Sequence, residues 1–187
     1  MQAQHPDDVV AVTVTFLEMT APSAYYPPLP HNRQIALLRA RNMPVHFYKY
    51  LADRVGRKWH WVNILRTPDS ELEAALSKPD RDIRVLYLDG SPAGFFDIKP
   101  MLPAAADLAY FGLMEHAVGQ GLGRWFLGAA IEAAWSHGPE LVTVQTCTLD
   151  HPAALPLYQR LGFSPVGQQR EMVKVMTMAE RSESVMR

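Results

Sequence analysis

A chain that passes from a buried strand into a buried helix through three glycines at alternate positions has few folds open to it. Residues 118–125, V-G-Q-G-L-G-R-W, make such a passage. Before them, Leu108 to Met114 (L-A-Y-F-G-L-M) is short, aromatic-rich and bounded by polar residues, which predicts a buried strand. After them, Leu122 to His137 is long enough for a helix. Gly119, Gly121 and Gly123 remove the side chains that would hold a ligand off the backbone, and they permit positive φ. Because the turn opens a helix, its N–H groups and the positive end of the helix dipole point the same way, which suits a phosphate. A tight glycine turn without any ligand fits the same spacing. Two well-known phosphate motifs are excluded. A dinucleotide fingerprint needs G-x-G-x-x-G, but Arg124 stands three after Gly121 and Phe126 three after Gly123, while the acid expected roughly 20 residues on would be Glu140, at the wrong end of the next strand. A Walker loop needs G-K-[ST], which is absent here.

With 187 residues, the chain suits a single domain, residues 1–187, with one sizeable core. Hydrophobic residues at 48% and charged residues at 20% are ordinary for a soluble globular protein. A formal net charge of -1 supplies no basic field, so nucleic acid is not the expected partner. The single cysteine, Cys147, has no intramolecular disulfide partner, and no leader-like segment or run of about 20 apolar residues appears, so the expectation is a cytoplasmic protein without a membrane span. Cys147 has no basic neighbour in sequence and reads as a small buried hydrophobe. The seven histidines show neither H-x-x-x-H nor cysteine spacing, and no metal site is expected; His60, between Trp59 and Trp61, reads as surface or pocket lining.

Along the chain, Val9 to Glu18 is rich in β-branched residues and predicts a first strand. Thr20 to Arg33 carries Pro22, Pro27, Pro28 and Pro30 with Tyr25 and Tyr26, and reads as a loop. Pro44 opens a helix that ends at Gly56, and Ser70 to Ser77 predicts a short helix capped by Ser70. Ile83 to Leu88 and Ala93 to Ile98 form a hairpin about Asp89-Gly90. The helix after the glycine turn is apolar nearly all round and stops at Gly138-Pro139. Leu141 to Thr148 predicts another strand, Pro152 to Leu161 another helix, and Phe163 to Val175 a final strand pair or hairpin about Gly167.

A second pattern, Leu149 to Phe163, reads L-D-H-P-A-A-L-P-L-Y-Q-R-L-G-F. The two stretches together resemble the GNAT (Gcn5-related N-acetyltransferase) superfamily. Gly121 and Gly123 match its acyl-CoA loop, [QR]-x-x-G-x-[GA], although Val118 replaces the usual Gln or Arg. Ala154, Leu157, Tyr158, Gly162 and Phe163 match N-x-x-A-x-x-L-Y-x-K-x-G-F, with Arg160 for Lys and His151 where Asn is common. The resemblance covers residues 83–175 and hardly touches residues 1–82.

It implies an α/β (α+β) fold with a mixed, mostly antiparallel sheet, flanking helices and two splayed central strands, here Leu108 to Met114 and Leu141 to Thr148. It further implies acetyl-CoA as donor, held by Leu113, Met114, Gly119, Gln120, Gly121, Leu122, Gly123, Arg124, His151 and Tyr158. Tyr158 takes the place of the general acid for the departing thiolate. Counting back from Gly123 without gaps, Asp107 falls where the histone acetyltransferases of the superfamily carry a strand glutamate acting as base; a solvated strand-end residue is the alternative. With the donor assigned to the C-terminal half, the acceptor pocket is expected from aromatic residues of the N-terminal half, Tyr25, Tyr26, Trp59 and Trp61. The expected partners are acetyl-CoA and an amine, in a monomer or homodimer that binds neither nucleic acid nor membrane. A non-catalytic acyl-CoA sensor is the rival function.

Overall fold

The computed structural model describes residues 9–23, 26–29 and 33–186. One sheet contains β1 (Val9–Met19), β2 (Ile35–Arg39), β3 (Asp82–Leu88), β4 (Ser91–Met101), β5 (Ala105–Leu113), β6 (Leu141–Cys147) and β7 (Ser164–Lys174). Their spatial order is β2-β3-β4-β5-β6-β1-β7. All neighbours are antiparallel except β5 and β6, which run parallel. Among the described residues six α-helices flank the sheet: α1 (Val45–Gly56), α2 (Asn63–Arg66), α3 (Asp69–Leu76), α4 (Leu122–Trp135), α5 (Ala154–Arg160) and α6 (Met178–Met186). The mixed, mostly antiparallel sheet with flanking helices is the architecture expected from the sequence.

Local chemistry accounts for most boundaries. The β3–β4 hairpin turns at Asp89 and Gly90, both at positive φ (50° and 84°), as a right-twisted two-residue turn requires. Pro44 precedes α1 in an extended conformation. Helix α3 starts one residue before the expected Ser70, behind Pro68 and with no side-chain cap, while Asp69 and Glu71 in its first turn suit the helix dipole.

The expected hairpin over Phe163 to Val175 is a single strand, β7, and its partner is β1 from the other end of the chain. Gly167 does not turn the chain. It pairs with Phe16, the next pair is Leu17 with Pro165, and Val166 is the extra residue of a bulge. Glycine inside a strand pattern marks a bulge as readily as a turn. Strand β2 and helices α2 and α6 had no counterpart in the sequence reading.

The sheet is packed on both faces. Helices α4 and α5 cover one, with Phe96, Leu108, Phe126 and Ile131 fully enclosed. Helices α1 and α3 cover the other, over Tyr48, Ile83 and Phe95. Beside them Val62 and Leu65 pack with Met176, Val173 and Val185, which seats α6. Under α1 the buried Asp97 of β4 accepts hydrogen bonds from the Tyr48 hydroxyl (2.5 Å) and from Arg81 Nε (2.9 Å) and Nη2 (2.5 Å). This trio ties α1 to the sheet and so positions the residues that follow α1. No described helix is long and apolar enough to cross a membrane.

Candidate functional site

Strands β5 and β6 pair only where Ala105–Leu108 meets Leu141–Val144. At the next position Ala109 is the extra residue of a bulge against β4, because Leu108 pairs with Ile98 and Tyr110 with Asp97. A bulge bends its strand and increases its twist, so this one turns β5 away from β6. The gap is a cavity of about 370 Å3. Val142 and Val144 belong to the cluster under α4, so by strand alternation Gln145 and Cys147 face the opposite side. The cavity therefore runs through the sheet. Gly121, Gly123, Leu157 and Tyr158 line it on the α4 side, and Trp61, Val62, Gln145 and Val173 line it on the other.

At the α4 end, Gly119 (φ 80°) and Gly121 (φ 76°) adopt the left-handed conformation, and Gly121 is the residue that caps the helix. No side chain caps α4, and among the described residues no backbone acceptor meets the N–H of Gly119 or Gly121. A Cβ built on either glycine has nothing within 4 Å, so the space before these groups is open. Unpaired donors, an open approach and a helix dipole make an anion site.

Tyr158 sits midway. It is 6% exposed and meets Phe111 and Phe163 edge-on, with ring centroids 6.3 and 5.8 Å away. Gly162 ends α5 at φ 106°, and Phe163 N–H donates to the Tyr158 carbonyl at 3.1 Å, which fixes both rings relative to the helix end. Burial first, then the negative charge of Asp150, raises the phenol well above its ordinary value of 10, so Tyr158 is protonated throughout the neutral range.

The sequence matches the acetyltransferase (GNAT) family over residues 45–163. The chain belongs to that family. No curated protein is similar enough to match. Among solved structures, the fold is shared with a GCN5-related N-acetyltransferase from Kribbella flavida (17% identity, TM-score 0.59, covering 89% of this chain and 60% of that one). It is also shared with a tandem GNAT protein from the clavulanic acid biosynthesis pathway (18%, TM-score 0.59, 91% and 55%). A third is a conserved protein of unknown function from Staphylococcus epidermidis (16%, TM-score 0.54, 90% and 64%). This GNAT chain thus spans between 55% and 64% of the length of those three proteins.

Of the residues expected to hold the donor, Leu113, Gly119, Gly121, Leu122, Gly123, His151 and Tyr158 line the cavity. Met114 is buried under α1 instead. Gln120 points outward, accepting from Arg33 Nη1 (2.7 Å) and donating to the His116 carbonyl (2.5 Å), and Arg124 is exposed beside the turn. Asp107 lies on β5 just before the wall begins at Leu108 and is not part of it. Burial raises its carboxyl above the usual range, against a hydrogen bond from Thr143 Oγ1 (2.9 Å) and the charge of Lys99.

On the acceptor side, Trp59 and Trp61 both line the cavity. Tyr26 does not: it packs on α4, where its Cβ would stand 3.6 Å from a Cβ placed on Gly128. Tyr25 lies outside the described residues. The Trp pair closes over the slot, Trp61 Nε1 donating to Asp150 Oδ1 (3.3 Å) and Trp59 meeting the His151 ring at 5.2 Å. Asp150 also accepts from Thr146 Oγ1 (2.7 Å) and Cys147 N–H (2.9 Å). Sequence reasoning missed Asp150, and it missed the wall contributed by β1 and β7, namely Val12, Val14, Glu171 and Val173. Asp150 stood in plain view within the second family pattern, one place before His151. The strand residues had no signal beyond alternation.

Proposed function

We propose that the chain is an N-acetyltransferase that moves an acetyl group from acetyl-CoA to a primary amine by direct attack. The observation that carries this reading is the through-sheet cavity, with free backbone donors at one end, a buried phenol midway and aromatic rings with carboxylates at the other. Two substrates entering one slot from opposite faces meet beside Tyr158, and positioning of this kind supplies much of the rate of bimolecular transfers. The turn at Gly119 to Gly123 holds the donor's phosphates, with Arg124 alongside, and Leu113, Leu157 and His151 line its path inward.

The ammonium of the acceptor gives one proton to Asp150, the carboxylate that faces Tyr158, in place of Asp107. The free amine then attacks the thioester carbonyl; a C–N bond forms and the C–S bond breaks. Tyr158 donates its proton to the leaving thiolate, and the remaining extra proton on nitrogen returns to the phenolate through water. The burial that raises Tyr158 also makes a desolvated thiolate more basic, so donor and acceptor stay matched.

The test follows free thiol released from acetyl-CoA with a panel of amines. Tyr158→Phe is expected to lower turnover by about a hundred- to ten-thousandfold with acetyl-CoA affinity intact. Wild-type turnover in this variant would remove the acid from Tyr158. Tight acetyl-CoA binding with no thiol release from any amine would favour the sensor instead, a reading consistent with Val118 in place of Gln or Arg.

A further inference from the structure

We infer that the acceptor is a monoamine with an apolar, ring-bearing body, an arylalkylamine, and that Glu171 at the cavity rim helps select it; this rests on the transferase reading above. The charge of the cavity wall comes first. Among the described residues it contains the carboxylates of Asp150 and Glu171 and neither lysine nor arginine. Its His60 imidazole adds no positive charge at neutral pH. His60 is held below its ordinary 6.5 by burial and by Arg181, and its Nδ1 is buried without a partner, which an imidazolium N–H would tolerate poorly. His151 accepts the Ala153 N–H on Nδ1 (3.1 Å).

An acceptor carrying a carboxylate or phosphate would therefore enter the slot with no counter-ion, and an uncompensated buried charge is strongly unfavourable. A polyamine fits no better. Asp150, which accepts hydrogen bonds from Trp61, Thr146 and Cys147, serves the reacting nitrogen, and only Glu171, exposed on β7 and in no ion pair among the described residues, is left for the further ammonium groups of a polyamine. Both carboxylates line the same wall as Cys147, whose thiol burial and these two charges push up. Beside the polar Asn63, Gln145 and Thr146, much of the remaining wall is aliphatic or aromatic. Trp61 lies 5.3 Å from Tyr110, and Val12, Val14 and Val62 are buried beside the opening. Aromatic faces attract a cation and pack a ring equally well.

The experiment compares phenethylamine with phenylalanine, which adds only a carboxylate, and with spermidine, which adds ammonium groups. Thiol release at saturating acetyl-CoA is followed on the full chain. The expected kcat/KM for phenethylamine exceeds that for phenylalanine by about a hundredfold or more, the order set by burying an unpaired charge. Glu171→Arg, a change at an exposed and unpartnered position, is expected to narrow that ratio at least tenfold by supplying a counter-ion. Equal use of phenylalanine or spermidine, or a ratio untouched by Glu171→Arg, overturns the inference while leaving the transferase reading in place. Binding of phenethylamine, seen as quenching of tryptophan fluorescence, without thiol release from any amine would instead overturn the transferase reading, and the acceptor assignment that rests on it falls too.

Discussion

Replacing Gly121 by alanine separates backbone strain from ligand approach, because the fold contains its own control. Gly121 (φ 76°) and Gly138 (φ 75°) share the same left-handed conformation, at opposite ends of α4, and a Cβ on either would meet nothing within 4 Å. Neither substitution adds a clash, so each carries only the penalty of a non-glycine residue in that region, roughly 1–2 kcal/mol. For a domain of this size each kcal/mol lowers Tm by about 2–4 °C, so both variants are expected to melt about 2–8 °C below the parent. They part at the ligand. The methyl at Gly121 occupies the open approach to the free N–H groups, and losing one hydrogen bond to a charged group costs about 1.5–3 kcal/mol, or roughly ten- to a hundredfold in affinity. Calorimetry with acetyl-CoA on both folded variants reads the difference: Gly121→Ala is expected to bind at least tenfold more weakly, and Gly138→Ala like the parent. Equal affinities with equal melting points would refute the cradle.

Asp107→Asn is expected to raise Tm at pH 7 and leave it unchanged at pH 3. A carboxyl whose folded pKa is raised contributes stability that is complete below its unfolded 3.8 and declines as pH rises through the folded value, a loss the amide avoids. The same variant is expected to keep parental turnover while Asp150→Asn loses it, and the reverse pattern would return the base to Asp107. Arg81→Leu leaves the buried Asp97 without its cation and is expected to cost about 3–5 kcal/mol, read as a lower urea midpoint at constant slope; a change under 1 kcal/mol would mean that water reaches Asp97.

The donor side was legible in the sequence because its determinants are local. Glycines that need positive φ sit next to the helix they cap, and Tyr158 lies four residues before the glycine that ends its helix. Trp59 and Trp61 were legible as rings in a short connection. Tyr26 was read by the same logic, but what decides its place is Gly128, far along the chain on α4, which leaves room for the ring. The ungapped count to Asp107 crosses the bulge at Ala109, which no residue preference announces. The β1 and β7 wall depends on which strands become neighbours, and Val9 to Glu18 looks the same whether it pairs locally or with the far end of the chain.

That last pairing bears on how the protein is made. Strand β1 is synthesised first, yet it is seated between β6 and β7, and its register with β7 runs from Val9 against Lys174 to Glu18 against Ser164. Contacts this distant in sequence form slowly, because the intervening chain must be ordered before they are rewarded. Until β7 emerges, a strand rich in valine and threonine waits with at least one unpaired edge, the kind of segment that joins other chains if left exposed. The stretch that matches the family, residues 45–163, holds neither strand, so the glycine turn and Tyr158 are synthesised before β1 and β7 can close their side of the cavity. Closure of the cavity wall that β1 and β7 supply thus waits for the last strand, and its yield depends on keeping the first strand from pairing with other chains until then.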